Sequence, residues 1–411
     1  MSTIRIRQID FLPSRIAAFD GEDYLFFSGT SYLGVGHQAD FRAALLEGIS
    51  RYGTVFSASR NNNLQLKIYD EAENFLAEWT GANAALTVTS GLLAGQLAIN
   101  LLKNKVGTNN EKTIFIYAPS AHPAVWEAPP PYFFKNQDDF EHNVVAIVEK
   151  EKNAPIVVIS NAVDMLTCQT FDFSWISQLS DNQDITLLID DSHGIGITGE
   201  NGSGIFRKIK NLANVRIKII VIASLAKALG IPGGVILSDE TTINGIRHNP
   251  LFVGASPIVP AYLFAFLVAQ PMYAAARETL KNNIDTFNDA LKNNSFESSI
   301  LNLHSFILNA QLSILNENTE GSVSASSNLE AQTSNLFKTP LAHYPVFFTP
   351  QNALFEALYK EKIFISHFAY PKPNDPPITR VVLSALHTEA DIEYLSVKIN
   401  DFLKNTHATR P

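Results

Sequence analysis

The chain has 411 residues, 46% of them apolar and 17% charged, with a formal net charge of −9. That length carries one large and one small folded unit, each with its own core, and the composition excludes a disordered chain. The acidic balance, with no basic cluster to reverse it locally, excludes nucleic acid as an expected partner. The single cysteine, Cys168, rules out an intramolecular disulfide and a cysteine-built metal site, and no metal is expected. The opening Met1-Ser-Thr-Ile-Arg has no apolar run of the signal-peptide kind. The longest apolar segment, 258–276, is interrupted by Pro260, Gln270 and Pro271. A buried helix is expected there rather than a membrane span, and the cytoplasm is the expected location.

Seven short apolar runs read as strands: Ala84–Val88, Thr113–Tyr117, Val144–Val148, Ile156–Ile159, Ile185–Asp190, Ile219–Ala223 and Gly234–Leu237. Most are apolar on both faces, as strands of a parallel sheet covered by helices should be. A helical pattern at Gly91–Leu102 follows the first of them, and the alternation predicts an open α/β sheet. After about Pro257 come long helical patterns, then a polar, loop-like stretch at 316–335 with no legible chemistry. Beyond it, strands at Val346–Thr349 and Ile363–Phe368 and helices near 352–362 and 388–402 predict a small α+β domain. The expected organisation is an N-terminal arm at 1–45, a large domain at 46–257, a connecting helix at 258–290 and a small domain at 291–411.

In chain order, the first candidate for chemistry is Thr87-Val-Thr-Ser-Gly-Leu-Leu-Ala-Gly, where a strand runs into a helix. Ser90, Gly91 and Leu92 place backbone N–H groups at the helix N-terminus, which suits a phosphate; an ordinary serine cap is the other reading. His122, in Pro119-Ser-Ala-His-Pro-Ala-Val-Trp, lies in a loop after a strand, where it stacks on a ring or is merely hydrogen-bonded locally. Asp190 and His193 belong to Asp190-Asp-Ser-His-Gly-Ile-Gly-Ile-Thr-Gly-Glu-Asn-Gly-Ser-Gly. A carboxylate at the C-terminal end of a parallel strand points into the crevice where α/β ligands bind. A helix or turn cap is the alternative for Asp190 and Asp191, and a local loop role the alternative for His193. Lys227, in Ala223-Ser-Leu-Ala-Lys-Ala-Leu-Gly-Ile-Pro-Gly-Gly, follows a buried strand and precedes a glycine-rich turn. An amine that forms a Schiff base needs a fixed position and partial desolvation, and this placement gives both; an exposed loop lysine is the bland reading.

Taken together, these pieces resemble the α-oxoamine synthase family, the group of 8-amino-7-oxononanoate synthase and 2-amino-3-ketobutyrate CoA ligase within the class II aminotransferases. The resemblance runs from Tyr32-Leu-Gly to Ser384-Ala-Leu-His-Thr-Glu-Ala-Asp-Ile and is weak between about 293 and 345. It implies a fold-type-I transferase dependent on pyridoxal 5′-phosphate (PLP). The implied fold class is α/β, with a large domain on a mainly parallel seven-stranded sheet and a small α+β C-terminal domain. It implies Lys227 as the Schiff-base lysine, Asp190 as the partner of the pyridine nitrogen, His193 near the phenolic oxygen and His122 stacked over the ring. It implies Ser90, Gly91, Leu92 and Ser224 on the phosphate. It further implies Ser256, in Phe252-Val-Gly-Ala-Ser-Pro, reaching the phosphate of a neighbouring subunit in a homodimer with shared sites. Arg380 falls on the arginine that grips the substrate carboxylate, as its planar fork suits.

The implied activity condenses an amino acid with an acyl-CoA, with loss of CO2. An aminotransferase or lyase acting on an amino acid is the second reading, and a non-catalytic homologue the third. Four departures mark the surround of the site. Ser31 stands where the family has Asn, Leu64 where it has Gly, and Tyr69 where it commonly has His. The stretch Ser160-Asn-Ala-Val-Asp-Met-Leu-Thr-Cys replaces a family segment beside the cofactor, with Asn161 or Asp164 as substitutes for its polar groups.

Overall fold

A computed structural model describes residues 6–104, 112–127, 132, 134, 136–151, 154–164, 171–180, 183–292, 344–349, 351–369 and 375–408. The polar stretch at 316–335 and Cys168 lie outside the described residues. Along the chain the strands are β1 (Ile16–Phe19), β2 (Glu22–Phe27), β3 (Ala84–Val88), β4 (Ile114–Tyr117), β5 (Ile156–Asn161), β6 (Ile185–Asp190), β7 (Lys218–Ser224), β8 (Gly234–Ser238), β9 (Val346–Thr349), β10 (Ile363–Ala369) and β11 (Pro377–Val382). Two compact units form: a larger one from Leu33 to Arg277, and a smaller one from both chain ends, up to Tyr32 and from Glu278 onward.

The larger unit is built on a six-stranded sheet of order β3-β8-β7-β6-β5-β4. Strands β4 to β7 run parallel, and β8 runs antiparallel to both its neighbours. Every residue of β5, β6 and β8 is buried, which their unbroken apolar character demands of a sheet covered on both faces. Leu97 and Leu102 of the helix Gly91–Lys103 pack with Leu86, Leu188, Ile220 and Ile236 of the sheet in one core cluster.

Six of the seven expected strands are present among the described residues. The seventh candidate, Val144–Val148, lies inside the helix Gln137–Lys150. Its apolar residues are spaced for a helix, with Phe140, Val144 and Val148 buried on one face. Asn136 caps the N-terminus by accepting from the Asp139 N–H, and Asp138 and Asp139 sit in the first turn, where the helix dipole favours them. The long apolar segment forms two helices, Pro260–Val268 and Gln270–Lys292, that part at Ala269. No helix among the described residues is long and apolar enough to cross a membrane.

The smaller unit holds a five-stranded sheet of order β1-β2-β10-β11-β9. β2 and β10 pair in parallel, and the other pairs are antiparallel. Phe19 stacks on Tyr24 at 4.4 Å and Tyr24 on Tyr359 at 4.9 Å, while Phe364 meets Phe19 edge-on. The C-terminal helix Glu389–Ala408 starts with a capping box. Asp391 Oδ2 accepts from the Thr388 N–H, and Thr388 Oγ1 accepts from the Asp391 N–H. Arg15 adds a bidentate pair to the same carboxylate at 2.6 and 2.9 Å. Burial alone would raise the Asp391 pKa, but the bonds from Arg15 and Thr388 hold it below the usual carboxylate range.

Candidate active site

Parallel strands covered on both faces leave polar side chains one place to act, at their C-terminal ends. Three such ends come together here. Asn161 closes β5, Asp190 closes β6 opposite it in register, and Ser224 closes β7. Asp190 is 7% exposed. Its Oδ1 accepts from the Ser192 N–H at 2.9 Å, and its Oδ2 lies 3.8 Å from His122 Nδ1. Ser192 Oγ in turn accepts from the Ser224 N–H at 2.8 Å, so the ends of β6 and β7 are bound to each other.

Lys227 stands three residues past β7. Its turn is closed by bonds from the Leu225 N–H to the Gly233 carbonyl and from the Ile231 N–H to the Leu225 carbonyl. Burial pushes the Lys227 amine below the ordinary lysine range, and the Asp190 carboxylate partly offsets this. A fixed, partly desolvated amine that deprotonates readily is what Schiff-base formation needs.

Ser90 is the N-cap of the helix Gly91–Lys103, its Oγ accepting from the Leu93 N–H. By helix geometry the N–H groups of the first turn have no intrahelical acceptor. Gly91 is required here: a Cβ on it would come within 2.7 Å of the Ser224 Cβ, so only glycine lets the end of β7 reach the helix N-terminus. The serine cap and the phosphate-suited turn are therefore one structure. Leu92, the next residue, is 60% exposed.

His122 caps the short turn Pro123–Val125 through its ring, Nδ1 accepting from the Ala124 N–H at 3.2 Å. Burial lowers its pKa, against the Asp190 charge, which raises it; the Lys227 charge lowers it further. His193 lies within the turn that follows β6, and Ser256 is exposed just past the short helix Pro250–Gly254. Ser31 and Arg380 belong to the smaller unit. Arg380 is central in β11, paired with Ser366 on one side and Phe348 on the other, with its guanidinium 5.0 Å from the Phe368 ring centre. Ser31 is exposed, and its carbonyl accepts from Ser384 Oγ at 3.0 Å.

Several residues of the larger unit's site region are given no cofactor role by the sequence motifs. Ser192 is one. Asp191 is another: its Oδ2 accepts from the Ile205 N–H at 2.8 Å, and it packs so closely on Gly194 and Gly204 that neither tolerates a Cβ. Burial pushes Asp191 up to about 8, against that bond and with help from the Asp190 charge. A third is Glu73, 3% exposed, which takes Arg60 on both oxygens, Arg247 at 2.6 Å, and both the N–H and the hydroxyl of Thr87. Thr87 is three residues ahead of Ser90, so this network anchors the strand that delivers the turn. Of the departures from the family pattern, Tyr69 is buried, donating to the Ile258 carbonyl at 2.9 Å beneath the Arg60 guanidinium, and Leu64 is 76% exposed.

The larger unit's residues fit PLP: a half-buried lysine, a carboxylate one strand away, and a turn whose Gly91 leaves no room for a Cβ. Among the described residues no cluster of His, Cys, Asp and Glu could hold a metal ion. Comparison with known proteins agrees with that chemistry. The family described as aminotransferase class I and II matches residues 28–399. An 8-amino-7-oxononanoate synthase of Fervidobacterium nodosum is 24% identical over 401 residues, covering 95% of this chain and 91% of that protein. Among solved structures, a variant serine palmitoyltransferase from S. paucimobilis, with PLP and myriocin bound, superposes with a TM-score of 0.72 at 14% identity, over 98% of this chain and 93% of that one. The 8-amino-7-oxononanoate synthase of Francisella tularensis gives 0.62 at 16% identity, over 93% and 99%. At these identities the two structures show a shared fold.

Proposed function

The chain belongs to the aminotransferase class I and II family, a family of PLP-dependent transferases, and from that premise we propose that it is an α-oxoamine synthase. In this reading it joins an amino acid to an acyl-CoA. A carbon–carbon bond forms between the amino acid's Cα and the thioester carbonyl carbon, and CO2 and the CoA thiol leave. The observation that carries the reading is the convergence of Lys227, Asp190 and the Ser90–Gly91 turn at one edge of the six-stranded sheet.

PLP, when bound, supplies an electron sink for the carbanion formed at Cα. The chain's own residues do the rest. Lys227 would hold the cofactor through its amine and would carry protons to and from Cα. Asp190 keeps the pyridine nitrogen protonated, with Ser192 fixing its other oxygen. The first-turn N–H groups behind Ser90 bind the phosphate, helped by Ser224. His122 would stack on the cofactor ring, and His193 would serve its phenolic oxygen. Arg380 would orient the substrate carboxylate, and Ser31 stands where the family has an Asn that serves the same carboxylate. Ser256 reaches the phosphate of the partner subunit in a cytoplasmic homodimer.

Arg380 is the sharpest test of the substrate side. Arg380→Ala should leave the PLP absorbance intact and weaken amino-acid binding by about 2–5 kcal/mol, as for a buried charge losing its partner. The reaction type is tested by adding Gly, Ala and Ser in turn, then acyl-CoAs of graded length, while following thiol release and cofactor absorbance. Release of CoA thiol with the cofactor left as PLP supports the synthase. Conversion of the cofactor to its pyridoxamine form by an amino acid alone, with no thiol released by any acyl-CoA, overturns it in favour of an aminotransferase.

A further inference from the structure

We infer that Asn161 is a positioning residue that holds His122 as a neutral imidazole carrying its proton on Nε2. The inference deepens the PLP-enzyme reading and rests on it, since His122 matters to catalysis only if Asp190 and Lys227 form the cofactor site.

Asn161 is the last residue of β5 and is 2% exposed. A buried amide must have both ends satisfied, and here each end has a partner of fixed character. Its Oδ1 accepts from the His122 backbone N–H at 3.2 Å, and its Nδ2 donates to the Ser120 carbonyl at 2.7 Å. The reverse orientation would set donor against donor and acceptor against acceptor. The amide thus spans the turn Ser120–His122 from end to end. That turn needs holding, because Ser120 has φ +63°, a left-handed conformation disfavoured for any residue with a Cβ.

The clamped turn delivers the His122 ring to the Ala124 N–H, which points at Nδ1. A donor aimed at Nδ1 requires a lone pair there, so the neutral ring carries its hydrogen on Nε2. An imidazolium would set its Nδ1–H against the Ala124 N–H. The charged groups that act on the ring are Asp190, at the end of β6, and Lys227, after β7. Asp190 Oδ2 is 3.8 Å from Nδ1, beyond hydrogen-bond reach. With Nδ1 capped, Asp190 is kept from pairing with the histidine and stays available to the cofactor nitrogen, while Nε2–H remains the ring's one donor. Burial and the Lys227 charge act in the same direction, toward the neutral form.

Removing the clamp frees the Ser120 carbonyl and the His122 N–H, lets the turn relax and uncaps Nδ1. The ring then takes a proton and competes for Asp190. In the holoenzyme, Asn161→Ala should therefore shift the acid limb of the kcat–pH profile to higher pH and lower kcat at least tenfold near pH 7. KM for the amino acid should change by less than threefold, with PLP retained. Asn161→Asp keeps an acceptor for His122 but sets a second oxygen against the Ser120 carbonyl, and should shift the profile in the same direction.

If Asn161 acts through His122, the double variant Asn161→Ala/His122→Ala should be no slower than the slower single variant. Losses in kcat that multiply, or an unmoved acid limb, would overturn the proposal. A second measurement needs no substitution at Asn161. In protein labelled with 15N-histidine, the resonances absent from His122→Ala identify this ring, which should read as neutral with the hydrogen on Nε2 at pH 7–8. An imidazolium or an Nδ1–H tautomer there overturns the inference, whether or not the Asn161 variants fold. Failure to take up PLP would instead overturn the reading beneath it, and the tautomer is read from the protein with or without cofactor.

Discussion

The two sheets place their polar residues by different rules. In the six-stranded sheet, β5 and β6 are buried at every position, so nothing on a face can meet a ligand and the chemistry is confined to Asn161, Asp190 and Ser224 at the ends. In the five-stranded sheet, β1 alternates between less and more buried positions, and in β11 the half-buried Arg380 sits in mid-strand between the buried Thr379 and Val381. A sheet covered on both faces concentrates function at one edge, whereas a sheet covered on one face can carry it at any alternate position. The first arrangement writes its function as short contiguous motifs and the second as isolated residues. The cofactor side of this chain is accordingly the side on which the family pattern persists most fully.

The largest test of that contrast is Lys227→Ala, which should abolish the Schiff-base absorbance and all turnover while leaving the thermal unfolding of both units intact. Borohydride reduction followed by peptide mapping should place the pyridoxyl group on Lys227; a label on another lysine would break the assignment. Next comes Glu73→Ala, which leaves the buried Arg60 and the half-buried Arg247 without their carboxylate. Urea denaturation should show a loss of about 3–5 kcal/mol. A cost under about 1 kcal/mol would show that the larger unit does not depend on this network.

A third test addresses the smaller unit. Burial pushes the His387 pKa down to about 4, against the Phe26 carbonyl and the Asp391 charge, both of which raise it. Its Nδ1 accepts from the Ser384 N–H, so Nε2–H donates to the Phe26 carbonyl. The folded unit prefers the neutral ring. Its contribution is complete above the unfolded value of about 6.5, declines as the pH falls toward about 4, and totals roughly 3 kcal/mol. Urea midpoints between pH 7.5 and 4.5 should fall more steeply for the parent than for His387→Gln; equal slopes would remove the assignment. The smallest effect is expected at Gly91→Ala. The added Cβ meets the Ser224 Cβ and backbone and should cost about 1–3 kcal/mol of stability in urea denaturation, with weaker PLP retention on dialysis; an unchanged midpoint would show that the turn yields freely.

Much of the larger unit is legible because its signals are local. Unbroken apolar runs marked β5, β6 and β8, and Asp190 and Lys227 stand beside runs of glycine that bound their turns. Val144–Val148 misled because a five-residue apolar run fits a strand as well as a helix; the Asn136 cap and the Phe140 spacing decide for the helix. Asn161 and Asp164 were indistinguishable as polar substitutes until the fold showed the Asn161 amide on the His122 turn. The Glu73 network was illegible because Arg60, Thr87 and Arg247 are scattered along the chain and meet only in three dimensions. The pairing of β2 with β10 was hidden for the same reason.

That pairing has a consequence for synthesis. Ser28 and Ser366, whose hydroxyls meet at 2.7 Å, are 338 residues apart in the chain. At about 5–20 residues per second, a ribosome takes roughly 15–70 s to deliver the partner strand after the β1–β2 hairpin emerges. For that interval β2 is an open edge carrying Leu25, Phe26 and Phe27. The larger unit has all its strands in hand by Ser238 and can close first, while the hairpin waits, exposed, for the last strands of the chain.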